Sequence, residues 1–316
     1  MNRIEIKNLN MGFSTEVGYR PALFDVSFKL KPGQMHAIVG ESGCGKSITA
    51  MSIIRLLPKN AIIKSGEILF ENKNLLTLSE KELRKIRGAK IALIPQDPMT
   101  SLNPLYTIGS QISEALTCHQ KISKTEAKKI SLEVLDLVKI PNAKDRFNAY
   151  PHELSGGMKQ RVVIATALAL KAGVIIADEP TTALDVTIQA QIMSLLDDIK
   201  RDFNTSILII THDLNLVGQY ADEVSVMYAG NIVENAQKRE FFKNPSHPYS
   251  IALLEALPNN KQTLNSIKGA PPSIFDNING CRFNPRCNCF MRNCCEKEVP
   301  FLKEIAPFHS VSCLKY

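Results

Sequence analysis

The stretch Met35-His36-Ala37-Ile38-Val39-Gly40-Glu41-Ser42-Gly43-Cys44-Gly45-Lys46-Ser47 decides the architecture. Met35–Val39 has strand character, runs straight into a glycine-rich turn, and is followed from Lys46 by an apolar-periodic helix to about Leu56. The turn matches the phosphate-cradling pattern G-x-x-x-x-G-K-[ST]. Gly40, Gly43 and Gly45 free the backbone amides to face inward as donors, with Glu41, Ser42 and Cys44 at the variable places. The helix behind them aims its positive dipole end at the same anion. Lys46 is of the type that reaches β- and γ-phosphates, and the Ser47 hydroxyl of the type that ligates Mg²⁺.

Outward from that turn the chain alternates strands and helices. Ile4–Ile6, Ile68–Phe70, Ile91–Ile94, Val174–Ala177 and Ser206–Ile210 read as strands. Ser79–Ile86, Gly157–Leu170, Val186–Lys200 and Leu214–Tyr220 read as helices, and Glu223–Met227 with Ile232–Val233 as a hairpin turned by Ala229-Gly230-Asn231. This rhythm predicts an α/β domain with a mostly parallel sheet. Between Asp97 and Tyr150 it is interrupted by turn-formers and two helical segments, Ile108–Leu116 and Lys124–Val138, which read as a helical insertion. From about Glu240 the composition shifts to Pro, Asn and Cys, with a helix through Leu257 and a linker over Pro258–Gly280.

Two apolar strands end in polar residues suited to nucleotide chemistry. Val174-Ile175-Ile176-Ala177 delivers Asp178, placed for a water-mediated Mg²⁺ contact, and Glu179, placed to polarise an attacking water as general base. Ile207–Ile210 delivers Thr211-His212-Asp213, where His212 suits a γ-phosphate contact. Leu154-Ser155-Gly156-Gly157-Met158 opens a second helix of the anion-binding kind far from the first, as expected if it serves the nucleotide of another subunit.

With that last stretch the chain resembles the ABC-transporter ATPase family, whose LSGGQ signature it carries with Met158 in the final place. The resemblance spans about residues 3–316. It implies a P-loop NTPase fold with a mixed sheet core, a helical signature subdomain over about 97–157, and a small Cys-rich C-terminal extension. The implied division is a nucleotide-binding domain over 1–240 and the extension over 241–316. It further implies two ATPase domains that sandwich ATP head-to-tail, Gly40–Ser47 of one facing Ser155, Gly156 and Gly157 of the other. Gln96 corresponds to the Q-loop residue that contacts Mg²⁺, and Ala183-Leu184-Asp185 to the D-loop. Phe13 offers a ring to stack on adenine, with Tyr19 as the alternative.

Three further stretches narrow the likeness to oligopeptide/dipeptide importers. They are Pro95-Gln96-Asp97-Pro98-Met99-Thr100-Ser101-Leu102-Asn103-Pro104, His247-Pro248-Tyr249-Ser250-Ile251-Ala252-Leu253-Leu254, and Gly280-Cys281-Arg282-Phe283-Asn284-Pro285-Arg286-Cys287. The expected partners are two transmembrane permease subunits, a second ATPase in a heterodimer, and, indirectly, an extracytoplasmic peptide-binding protein. The implied location is the cytoplasmic face of the cell (inner) membrane. Nickel or another small solute is the alternative cargo.

Six of the eight cysteines lie between Cys281 and Cys313. Such crowding points to metal or cluster binding, zinc or free thiols rather than disulfides. Related peptide-importer ATPases carry a [4Fe–4S] cluster on cysteines of this pattern, so the resemblance implies Cys281, Cys287, Cys294 and Cys313 as ligands, with Cys289 and Cys295 as alternates. Cys44 places an oxidisable thiol in the loop, and Cys118 reads as buried filler.

Composition sets the bounds. With 316 residues and 44% hydrophobic content the chain can bury a sizeable core. Its apolar runs fall far short of the ~20 residues a membrane helix needs, and Met1-Asn2-Arg3-Ile4 lacks a signal-peptide core, so a cytosolic protein is expected. The net charge of +7 is spread over the chain without basic runs interleaved with aromatics, which reads as a solvated surface and not a nucleic-acid site. A DNA-maintenance ATPase with a Cys-ligated metal is the rival from another class. It would need long coiled coils or a zinc module between Ser47 and Ser155, and no sustained heptads occur there. A translation-type ATPase would need a second phosphate loop, and the sequence has one.

Overall fold

The computed structural model describes residues 2–182, 184–257 and 267–316. The chain divides into two compact units, Met1–Leu76 with Ile210–Tyr316, and Thr77–Ile209.

The first unit carries an antiparallel sheet in the order Gly18–Leu30, Ile4–Thr15, Ala61–Phe70, Lys73–Asn74. Ile4 faces Leu30 on one side and Phe70 on the other, and Ile4, Ile6, Leu9 and Met11 are buried. The inward set skips from Ile6 to Leu9 and then Met11 because the register shifts at each step. A bulge of this kind re-aims side chains that strict alternation would send to solvent.

Five more strands of this unit follow the order Lys303–Ala306, His309–Val311, Asn231–Gln237, Glu223–Tyr228, Met35–Val39. Met35–Val39 runs parallel to Glu223–Tyr228, with His36 opposite Glu223 and Val39 opposite Val226. Every residue of both strands is buried. Parallel strands covered on both faces read as continuous apolar runs, and that is why these were visible in the sequence. The remaining pairs are antiparallel, so the sheet is mixed.

The helix of the extension, Pro248–Glu255, starts on a buried polar cluster. Glu234 is wholly buried and accepts from the amides of Ser246 at 2.9 Å and His247 at 2.8 Å, with His309 Nε2 at 2.8 Å. His247 Nδ1 in turn accepts from the Tyr249 amide at 3.0 Å, capping the helix. A ring nitrogen that accepts carries no proton, so His247 is neutral here.

Burial pushes the His247 pKa down to about 3. Its ordinary value is 6.5, so below that pH the unfolded chain takes up a proton that the folded chain refuses. Stability is then lost as pH falls from 6.5 towards about 3, by roughly 1.4 kcal/mol per pH unit from this group. His247→Asn keeps a capping oxygen and removes the titration. Urea denaturation at decreasing pH should show a shallower fall in stability for the variant, and parallel curves would refute the assignment.

In the second unit Ile91–Ile94 pairs in parallel with Val174–Asp178, Ile91 opposite Val174 and Ile94 opposite Ala177, and Ser206–Thr211 follows in strand order. The helices Ile108–His119, Lys124–Leu137 and Gly156–Ala169 pack on one another. Their starts are set by short polar caps: Thr107, Ser123 and Ser155 accept from the amides of Ser110, Glu126 and Met158. The helix Val186–Phe203 buries Ile192, Leu195, Leu196 and Ile199 along one stripe, each contributing roughly 1.5–3 kcal/mol of burial.

Candidate functional site

Within the first unit the turn after Val39 is built as a concave run of backbone. Gly40 has φ +152 and no room for a side chain, since a Cβ would lie 2.2 Å from the Met227 carbonyl oxygen. Gly45 caps the helix Lys46–Ile53 in the left-handed region at φ 107. The Gly230 amide donates to the Cys44 carbonyl at 2.8 Å, fastening the turn to the neighbouring hairpin. Lys46 is 5% exposed, and its Nζ donates to the carbonyls of Gly40 and Glu41, each at 2.9 Å. Ser42 and Gly43 are exposed, and Ser47 is partly so. The turn is of the glycine-rich kind that cradles phosphate, and its lysine rests on carbonyls of the same turn.

Cys44, expected as an oxidisable thiol, is instead buried, and burial raises its pKa against the opposing pull of Lys46. A thiol kept protonated and covered is unreactive. His212 follows the strand Ser206–Thr211 and is exposed, while the next residue, Asp213, caps the helix Leu214–Tyr220 through the amides of Asn215 and Leu216. Phe13 and Tyr19 lie on adjoining strands, opposite Arg20 and Ser14 respectively, and both rings are half-buried. Lys64 Nζ sits 4.7 Å from the Tyr19 ring centre, so one face of that ring is already occupied.

Within the second unit the two carboxylates at the end of Val174–Asp178 differ sharply. Asp178 is 4% exposed, whereas Glu179 turns out of the strand with φ +46, a left-handed conformation that a non-glycine residue adopts only at a cost. Its Oε2 accepts from Gln96 Nε2 at 3.0 Å and from Thr182 Oγ1 at 2.9 Å. The structure therefore brings Gln96 and Glu179, 83 residues apart, into direct contact. Within this unit Gln96 and Asp178 carry hard oxygen atoms, of the chemistry that suits Mg²⁺.

Ser155 is exposed at the start of Gly156–Ala169, its Oγ accepting from the Met158 amide at 3.3 Å. A Cβ at Gly157 would stand 2.7 Å from Cγ2 of Ile188, so any larger residue there would have to push that side chain aside. Asp185 is exposed and caps Val186–Phe203 by accepting from the Ile188 amide at 2.9 Å. Ala183 lies outside the described residues. Cys118, expected as core filler, is exposed and lines a cavity of about 990 Å³ with Leu102, Tyr106, Gln111 and His119.

The cysteine tail departs from expectation. Among the described residues no group of three or more His, Cys, Asp or Glu side chains is placed to hold a metal. The proposed ligands Cys281, Cys287, Cys294 and Cys313 are therefore not a ready-made set for a [4Fe–4S] cluster. The Cys295 amide donates to the Met291 carbonyl at 3.0 Å in a turn that leaves Cys295 buried and Cys294 partly exposed beside Glu298. Burial pushes the Cys281 thiol up to about 11, and Cys295, Cys287 and Cys313 add to the rise. Among the described residues this geometry offers no assembled site for the cluster.

Sequence reasoning left two residues of this region without a role. Tyr249 and Arg286 both belong to stretches that mark the subfamily, and both contact Glu41. The signal was present in the sequence, but no spacing rule connects positions 245 residues apart.

Comparison with known proteins agrees with this geometry. Residues 23–182 match the family described as ABC transporter, and residues 233–294 match the oligopeptide/dipeptide transporter C-terminal region. The chain is 48% identical to the dipeptide transport ATP-binding protein DppD of Bacillus subtilis, over 98% of this chain and 93% of that protein. It is 47% identical to the oligopeptide transport ATP-binding protein OppD of Escherichia coli, over 99% and 93%. A solved dimeric ATP-binding cassette in a post-hydrolysis state, bound to ADP and phosphate, superposes with a TM-score of 0.68 at 30% identity, covering 75% of this chain and 99% of that one. A phosphate cradle, a strand ending in Asp178 and Glu179 and a serine-capped glycine helix, joined by matches that span nearly the whole chain, place this protein in the ABC transporter family.

Proposed function

We infer that this chain is the ATP-binding and hydrolysing subunit of an ABC importer, coupling ATP turnover to uptake of di- and oligopeptides. The observation that carries the reading is the Gly40–Ser47 cradle together with the match of residues 233–294 to the peptide-transporter C-terminal region. Peptide-transport relatives nearly half identical over almost the full chain support it.

In this reading ATP enters the Gly40–Ser47 cradle, and Lys46 leaves the carbonyls of Gly40 and Glu41 for the β- and γ-phosphates. Ser47, Gln96 and Asp178 would hold Mg²⁺, which neutralises phosphate charge when bound. Glu179 orients and deprotonates the attacking water, and Gln96, bonded to it, reports on that carboxylate. His212 contacts the γ-phosphate. Ser155, Gly156 and Gly157 of a second ATPase subunit close over the same nucleotide, and Asp185 borders that junction. Phe13 stacks on adenine, Tyr19 being already engaged by Lys64. The dimeric state of the solved relative supports such pairing. In this reading residues 1–240 form the nucleotide-binding part and 241–316 the extension.

No helix among the described residues is long and apolar enough to cross a membrane. The subunit works from the cytoplasmic face of the cell membrane through two permeases, and an extracytoplasmic binding protein selects the cargo. Leu105 and Tyr106, 78% and 56% exposed, with Tyr106 lining the 990 Å³ cavity, offer apolar surface to a permease.

The test is reconstitution of the chain with its neighbouring permeases and second ATPase in vesicles. ATP hydrolysis should rise with a peptide-loaded binding protein, and labelled peptide should accumulate inside. Stimulation by Ni²⁺ or by DNA in place of peptide would refute the assignment.

A further inference from the structure

Glu41, the second residue of the phosphate loop, is gripped from three directions. Its carboxylate takes a two-pronged ion pair from Arg286, Nη1 to Oε2 at 2.6 Å and Nη2 to Oε1 at 2.9 Å. Its amide donates to Tyr249 Oη at 2.9 Å, so that this N–H points at the extension. Its carbonyl accepts from Lys46 Nζ at 2.9 Å. Both partners outside the loop come from the C-terminal extension.

The grip is largely buried on the arginine side. The Arg286 side chain is 5% exposed and that of Glu41 24%. The guanidinium also donates from Nε to the Lys268 carbonyl at 2.9 Å, from Nη2 to the Gly269 carbonyl at 3.1 Å and from Nη1 to Tyr228 Oη at 3.4 Å. Tyr249 is wholly buried, its ring 4.6 Å from Tyr228 and 5.4 Å from Phe283. A bidentate, partly buried pair of this kind is the strong form of ion pairing, and its geometry is specific to arginine.

We propose that the C-terminal extension sets the ATP affinity of the phosphate loop, with Arg286 as a positioning residue acting through Glu41 and Tyr249 fixing the same peptide from the other side. Two effects act together. Glu41 puts a carboxylate in the loop that must receive a polyphosphate, and Arg286 cancels that charge, which otherwise repels the nucleotide. The same grip holds the Glu41 carbonyl on which Lys46 rests, so it also fixes where the lysine starts.

This inference rests on the reading of Gly40–Ser47 as an ATP site. Titration of the full-length chain with fluorescent ATP and Mg²⁺ tests it. Arg286→Ala should weaken binding about tenfold. The double variant Glu41→Gln with Arg286→Ala should recover to within about threefold of wild type, because no carboxylate is left to repel ATP. Arg286→Lys, which keeps the charge and loses the fork, should fall between. A tail that served only to hold the fold together would leave the double variant as weak as the single, and that result overturns the proposal. So does unchanged affinity in Arg286→Ala. If that variant precipitates, Arg286→Gln, which keeps bulk and donors without charge, is compared in the same way. Wild-type protein that fails to bind ATP would instead refute the nucleotide reading itself.

Discussion

Replacing Glu179 with Gln is expected to slow ATP turnover by about 10²–10⁴-fold while nucleotide binding persists. The expectation comes from where the carboxylate sits. Glu179 stands one residue past a buried strand in a left-handed conformation, and its Oε2 already accepts from Gln96 and Thr182. A glutamine oxygen can keep both of those bonds, so the loop and its strained backbone survive the change. What disappears is the capacity to take a proton from water. Phosphate release and nucleotide binding, measured on the same preparation, separate the two. Turnover within about tenfold of wild type would place the base elsewhere.

Lys46→Met is expected to do the opposite, removing nucleotide binding at its source. Lys46 is a buried cation of the cradle, and its ammonium donates to main-chain carbonyls of the loop, those of Gly40 and Glu41, with the Cys44 sulfur at 3.9 Å. Methionine fills the channel of the aliphatic stem but offers no charge to a phosphate. Loss of charge-assisted hydrogen bonds in a site this enclosed is worth about 2–5 kcal/mol, or roughly 30- to 5,000-fold in affinity. Calorimetric titration with ATP and Mg²⁺ measures it, alongside an unchanged far-UV spectrum. Affinity within about threefold of wild type would mean that this loop is not the phosphate site.

The parts of this molecule that were legible in the sequence are those whose burial is two-sided or whose ends are chemically marked. Met35–Val39, Ile91–Ile94 and Val174–Asp178 are strands within continuous apolar runs, and the observed bounds agree with the reading to within a residue. Leu214–Tyr220 is announced by Asp213, and Glu80–Ile86 by the Ser79 capping box. The strand Gly18–Leu30 was invisible because it carries Pro21 and its buried residues, Leu23, Val26, Phe28 and Leu30, change spacing where the register slips. His309–Val311 is too short to show a period. In the tail the sequence showed which residues are thiols but not which way they turn. One local turn at Met291 leaves Cys295 buried and Cys294 partly exposed, a difference that no spacing in the sequence announces. The Glu41–Arg286 contact belongs to the same class, since only the folded chain brings those two positions together.

The strand His309–Val311 lies against Asn231–Gln237, and beyond it Lys303–Ala306 is the outermost strand. An open β margin of seven residues would otherwise present its main-chain donors and acceptors to any passing chain. Here His309–Val311 pairs with Glu234, Asn235 and Ala236 of that margin, and the rim beyond it is four residues long and carries Lys303 and Glu304, a poor template for further pairing. The stretch beyond Arg286 thus helps protect the sheet from recruiting neighbours, and a chain lacking Lys303–Val311 would be prone to self-association.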